Sequence, residues 1–150
     1  MRAKKHAERR TTPPPVRMRN RWIFSCVAKA LYHILLPIGA VMVFATSPTT
    51  QTIEVYSYFS LLPVGYANFT PLLTGILTIL IILLGAIALF KFDNAASLRK
   101  AMFVCSVISL LLSIVPLFLF GTVGMTAASY AVSCAILLSI CLQAVANRKE

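Results

Sequence analysis

Carboxylates are nearly missing from this chain: four acidic residues, Glu8, Glu54, Asp93 and Glu150, stand against fourteen Lys and Arg in 150 positions. None of the four falls inside a long apolar run. That excludes a proton-coupled exporter of the small four-span kind, which depends on a carboxylate within the membrane. Charge of either sign is scarce, at 12% of residues, where a soluble domain carries about a quarter. Cysteine is sparse as well. Cys26, Cys105, Cys134 and Cys141 all lie inside or at the edge of apolar segments, so no disulfide framework and no exterior thiol-redox pair is implied. Without a CxxC or HxxxH spacing they also give no metal site. No catalytic or cofactor motif stands out, and the expectation is a non-enzymatic protein without a cofactor.

Apolar residues are what the chain has in quantity, at 59%, and they are clumped. Lys, Arg, Asp and Glu gather in short segments between long uncharged runs, the pattern of lipid-facing spans. The net charge of +10 would suit a nucleic-acid partner, but its distribution does not. Eight of the fourteen cations lie in the first 21 residues, and the other six sit at or near the ends of apolar runs, so nucleic acid is not expected as a partner.

Residues 1–21 form a basic tail expected to be disordered, with Pro13, Pro14 and Pro15 favouring extended structure. A first apolar run covers about 22–45. It contains Lys29, His33 and Pro37, with Lys29 expected to snorkel to the inner interface and Trp22 to anchor there. The alternative for this run is a cleaved signal peptide, although its basic region would be unusually long. An exterior loop is expected over 46–69, β-prone from Thr52 to Phe59 and rich in interfacial tyrosines. The second span, about 70–90, opens with Thr70 as N-cap and Pro71 as first helical residue. A polar connection follows at 91–100, then a third span at about 101–120. Gly121 and Gly124 make a tight turn into a fourth span at about 125–146, which forces these two helices to be antiparallel neighbours. Residues 147–150 are the polar end.

The expected fold is therefore all-α, a polytopic bundle of four transmembrane helices. With four spans, every Lys and Arg falls on one side when Lys29 is counted there, and the two opposite loops hold none. Positive charge marks the cytoplasmic side, which places both termini in the cytoplasm and the protein in a plasma membrane. The general style of the sequence suggests a bacterial one.

Few residues offer chemistry. Lys29 and His33, four apart on one helix face, are the ionisable pair within a span. Such groups are by default functional candidates, as a proton relay or a site for a lipid phosphate. The plainer reading, favoured because no Asp or Glu joins them, is a snorkelling lysine and a histidine bonded to a neighbouring helix. Gly124, Ala128, Ala131, Ala135 and Ser139 recur at intervals of three and four, a ridge along which another backbone can approach. Ser106, Ser109 and Ser113 give the third span a polar stripe, and Thr74, Thr78 and Gly85 the second. These mark helix packing more often than a pore. Pro116 should kink the third span, with Ser113 helping to satisfy the freed carbonyls. Asn68-Phe69-Thr70 matches a glycosylation pattern, too close to the membrane to be used. Arg17, Arg19 and Arg21 are placed to contact anionic lipid headgroups.

The leading functional expectation is a non-enzymatic accessory, assembly or oligomer-forming subunit that acts through helix packing, with the lipid bilayer, itself or another membrane protein as partners. The alternative is a small oligomeric transporter or channel, with a Ser/Thr-lined path and His33.

Overall fold

A computed structural model describes residues 16–46, 51–61, 66–90 and 96–147. Expectations for 1–15, the tip of the exterior loop, 91–95 and 148–150 lie outside these residues. Three long helices dominate: α2 (Tyr66–Phe90), α3 (Ala96–Phe120) and α4 (Ala127–Asn147). All three are long and apolar enough to cross a membrane. At about 1.5 Å per residue, 21 to 25 residues reach ~31–38 Å, against a hydrocarbon core of about 30 Å. A shorter helix, α1 (Val16–Tyr32), packs along α4. Helices α2 and α3 lie side by side, as do α3 and α4. α1 and α2 pack less closely than these pairs.

The placement of polar groups is inverted relative to a protein folded in water. Thr74, Thr78, Ser106, Ser109, Ser113, Ser129 and Gln143 are buried, while Ile76, Leu83, Leu111, Phe118 and Leu137 are exposed. Such outward apolar faces are tolerated in lipid and are aggregation sites in water. Together with the three long apolar helices, this inversion suggests a membrane protein.

The first apolar run departs from the expected continuous helix. α1 begins upstream, within the segment expected to be tail, and stops at Tyr32. Residues 33–38 follow in tight turns, with His33, Ile34, Leu35, Leu36 and Ile38 donating to carbonyls three residues back. Pro37 cannot donate and disfavours helix at Leu36. The chain then becomes β1 (Val41–Thr46), paired antiparallel with β2 (Gln51–Tyr56). β-Branched Val41 and Val43 in β1, and Thr52, Ile53 and Val55 in β2, suit a ladder better than a helix. This hairpin takes the far end of the expected first span as well as the β-prone part of the exterior loop.

Non-helical backbone beside a membrane must find its hydrogen bonds inside the protein. Here Tyr58 N donates to Leu36 O at 3.2 Å, Ala40 N to Tyr56 O at 2.6 Å and Thr126 N to Ala40 O at 3.4 Å. Thr126 Oγ1 also donates to Gly39 O, and Val41 forms a bridge with Met125. Gly39 permits this close approach, because a Cβ there would run into Val55 Cγ1. The chain thus passes from the level of Gln143 to the start of α4 at Ala127, 16 residues or ~24 Å along that helix, as a helix that gives way to turns.

Other helix boundaries also shift. α2 starts at Tyr66, so Pro71 lies inside the helix and Thr70 is not its N-cap; Thr70 O instead accepts from Thr74 Oγ1 at 2.9 Å. α3 starts at Ala96 and takes up part of the expected connection. It ends at Gly121, whose φ of 69° suits a residue without Cβ, and a short 3-10 turn (Thr122–Gly124) leads to α4. The antiparallel α3–α4 pair follows, as the glycine turn predicts.

Candidate functional site

The hydroxyl stripes and Lys29 meet inside the protein. Lys29, from α1, is 1% exposed. It does not snorkel. Its Nζ donates to Ser106 Oγ on α3 at 3.1 Å and to Gln143 Oε1 on α4 at 2.7 Å. Gln143 Nε2 donates in turn to Arg99 O at 3.0 Å, and Ser106 Oγ to Met102 O at 2.7 Å. The ammonium turns inward because two helices offer it acceptors, whereas outward it would lie against apolar side chains. In lipid, apolar contact alone gives no net drive for helices to associate, so van der Waals packing and interhelical hydrogen bonds carry that work. Lys29 hydrogen-bonds α1 to both α3 and α4.

Gln143 is four residues from the end of α4, and Arg99 three from the start of α3. The network therefore reaches from ~5 Å inside the end of the protein at Arg99 to ~15 Å at Ser106, ten residues into α3. The carboxyl end of α2 and the amino end of α1 share that end, since Ile23 and Leu89 line one cavity. The hairpin and the Gly121 turn lie at the opposite end.

His33, the residue after α1, is half-buried; it bonds back to α1 and its ring also meets the backbone of Thr78 on the neighbouring helix α2. Its Nδ1–H donates to Lys29 O at 2.8 Å, a carbonyl being able only to accept. Its ring stacks on Tyr32 with centroids 5.0 Å apart. Further hydroxyl contacts lie towards the hairpin end, one across the α3–α4 seam and one from the segment after β2 to α4. Ser113 and Ser133 lie 3.0 Å apart, and Tyr58 and Ser129 3.1 Å apart. Ser113 also donates to Leu110 O at 2.9 Å, and not to the carbonyl that Pro116 frees four residues before itself.

The small-residue ridge on α4 is divided. Gly124 and Ser139 are buried, Ala128 and Ala135 half-buried, and Ala131 exposed. The face turned inward is Ser129, Val132, Ile136, Ser139, Gln143 and Ala146. Cys134 and Cys141 are exposed, Cys26 and Cys105 half-buried. Among the described residues no three His, Cys, Asp or Glu side chains could hold a metal. Arg17, Arg19 and Arg21 lie on α1, at the same end as Arg99 and Lys100; nothing is described of their side chains.

Sequence reasoning missed Gln143 and the pairing of Tyr58 with Ser129. Gln143 had a signal, being the one carboxamide within the four apolar runs. Comparison with known proteins adds no relative: no family model, no curated sequence and no solved structure matches this chain.

Proposed function

We propose that this is a non-catalytic plasma-membrane protein, an accessory, assembly or oligomer-forming subunit that works through the outer face of α4. The observation that supports this reading is how the polar residues are used. Lys29, Gln143 and the hydroxyls of Thr74, Thr78, Ser106, Ser113 and Ser129 turn inward to partners in the same chain, and the outward face is left mainly with apolar and small groups. On α4 that outer face includes Ala131, Cys134, Leu138 and Cys141, all exposed and spaced three and four apart. Small side chains there allow a second helix to come close. The basic end, with Arg99 and Lys100, faces the cytoplasm in this reading, and Arg17, Arg19 and Arg21 contact anionic headgroups.

The native cysteines test it. Mild oxidation of intact membranes should give a disulfide-linked species, a dimer or an adduct with another membrane protein. Cys134→Ser with Cys141→Ser should abolish it, and Ala131→Leu, at an exposed position, should weaken it. A strict monomer in mild detergent that is untouched by Ala131→Leu overturns the reading.

One observation favours a second reading, a small oligomeric transporter or channel. Lys29 and His33 adjoin the place where the first run leaves helical geometry, and broken helices line the substrate sites of several transporters. Reconstituted vesicles should then show a flux that His33→Ala removes; no flux of ions or small solutes at any pH rejects it.

A further inference from the structure

His33 stands at the junction where α1 ends and the tight turns begin, beside the helix to which α1 packs less closely. A carbonyl can only accept, so the bond to Lys29 O fixes the ring proton on Nδ1. In the neutral ring Nε2 is then a bare lone pair, buried and without a hydrogen-bond partner. The ring meets the backbone of Thr78 on α2, and with Nδ1 engaged, Nε2 is the atom left for that contact. Thr78 offers it no proton. Its hydroxyl already donates to Gly75 O at 2.7 Å, and its carbonyl, like the nitrogen, is an acceptor. One added proton would turn this meeting of acceptors into a bond. The seam has room to tighten, since a cavity of about 260 Å³ lies between α1 and α2, with Val27, Lys29, Ile81 and Gly85 among its walls.

We propose that His33 is a proton-operated latch between α1 and α2. The ring takes one proton from solvent, keeps Nδ1–H on Lys29 O and gives the new Nε2–H to the carbonyl oxygen of Thr78, drawing the helices together; the neutral ring lets go. A carbonyl oxygen has two lone pairs, so Thr78 O can accept this bond besides one from its own helix. Few charges bear on the ring. Along α1, Lys29 and Cys26 lie about one and two turns below it, and the Lys29 ammonium is directed at Ser106 and Gln143. Tyr32 stacks on the ring, and Tyr58, in the same core cluster as Tyr32, is bonded to Ser129. α2 has no ionisable residue from Phe69 to Phe90, and the buried residues of α3 and α4 include none. Glu54, the one carboxylate among the described residues, is bonded to Tyr56 in the hairpin. Thr78 O thus has no carboxylate as a rival for the new proton, and histidine is the side chain whose charge ordinarily changes between about pH 5 and 8.

Nuclear magnetic resonance of the full chain in bicelles, with 15N in the histidine rings and 13C in the threonine carbonyls, tests this from about pH 8 down to about pH 5. The chain has two histidines, and His6→Gln leaves His33 alone. At the alkaline end the ring should carry its proton on Nδ1. On acidification Nε2 should gain one, and the Thr78 carbonyl carbon should shift with the same midpoint. Spin labels at Leu31→Cys and Leu80→Cys, both exposed positions, on a cysteine-free background should come closer over the same range, and His33→Phe should abolish that approach. A neutral ring protonated on Nε2, or a Thr78 carbonyl indifferent to the titration, overturns the latch. So does a label distance that is constant with pH or changes equally in His33→Phe. The resonance measurements keep His33 in place, and they decide the matter even where His33→Phe fails to fold.

Discussion

Replacing Gln143 by Leu, which is similar in size, leaves Lys29 buried with one acceptor fewer and removes the side-chain donor to the Arg99 carbonyl. Hydrogen bonds between membrane helices average only about 0.6 kcal/mol and rarely exceed ~1.7. A bond to a charged group is worth about 1.5–3 kcal/mol, however, and stranding a buried charge costs more. Gln143→Leu should therefore lose about 2–3 kcal/mol. Lys29→Met alone should lose less, because Ser106 keeps its bond to Met102 O and Gln143 its bond to Arg99 O. In the double variant no buried cation remains, and two apolar side chains of similar volume meet where the pair stood. The loss should then be well below the sum of the singles, with a coupling energy of about 2 kcal/mol. Reversible unfolding in bicelles, followed by far-ultraviolet circular dichroism or by steric trapping, measures all four corners of the cycle. Additivity within about 0.5 kcal/mol would show that the two side chains act independently, and would refute Lys29 as the tie between α1 and the α3–α4 pair.

Two further outcomes follow from the hairpin end. Gly39→Ala drives a methyl group into Val55, where β2 anchors the turn segment; a loss of at least about 1–3 kcal/mol is expected, while the same change at a lipid-facing position leaves unfolding unaltered. Tyr56, outside the membrane-spanning helices, donates its phenolic proton to Glu54 at 2.5 Å, and this bond holds its titration above the usual tyrosine value. The contribution to stability is present below about pH 10 and is lost as pH rises through the elevated folded value. Ultraviolet difference titration of wild type against Tyr56→Phe should show the elevation, and Glu54→Gln should lower it.

What could be read from the sequence follows how local each signal was. α2, α3 and α4 were legible because unbroken apolar runs of some twenty residues have few other solutions near lipid. The Gly121–Gly124 turn was legible because a positive φ and a short connection leave two helices little choice. The first run was misjudged because composition cannot distinguish apolar helix from apolar strand. Pro37, Gly39 and the alternation from Val41 onward were the local signs of a break. Its satisfaction by Tyr56, Tyr58 and Thr126 depends on residues 16 to 87 positions away. Lys29 was legible as a cation within an apolar run, but not the direction in which it turns. Snorkelling is the default for an isolated cation, and it gives way when Ser106 and Gln143, 77 and 114 residues downstream, supply acceptors. The α4 ridge was legible as a repeat of small residues, but spacing alone could not say that Gly124 and Ser139 face inward while Ala131 faces out.

The account as a whole requires that the hairpin and the Lys29 end lie on opposite sides of a membrane. Single-cysteine variants on a cysteine-free background, Glu54→Cys in the hairpin and Lys100→Cys near the start of α3, report this directly through a membrane-impermeant maleimide applied to intact cells. Glu54→Cys should label at once and Lys100→Cys only after permeabilisation. Labelling of both from the same side would contradict it.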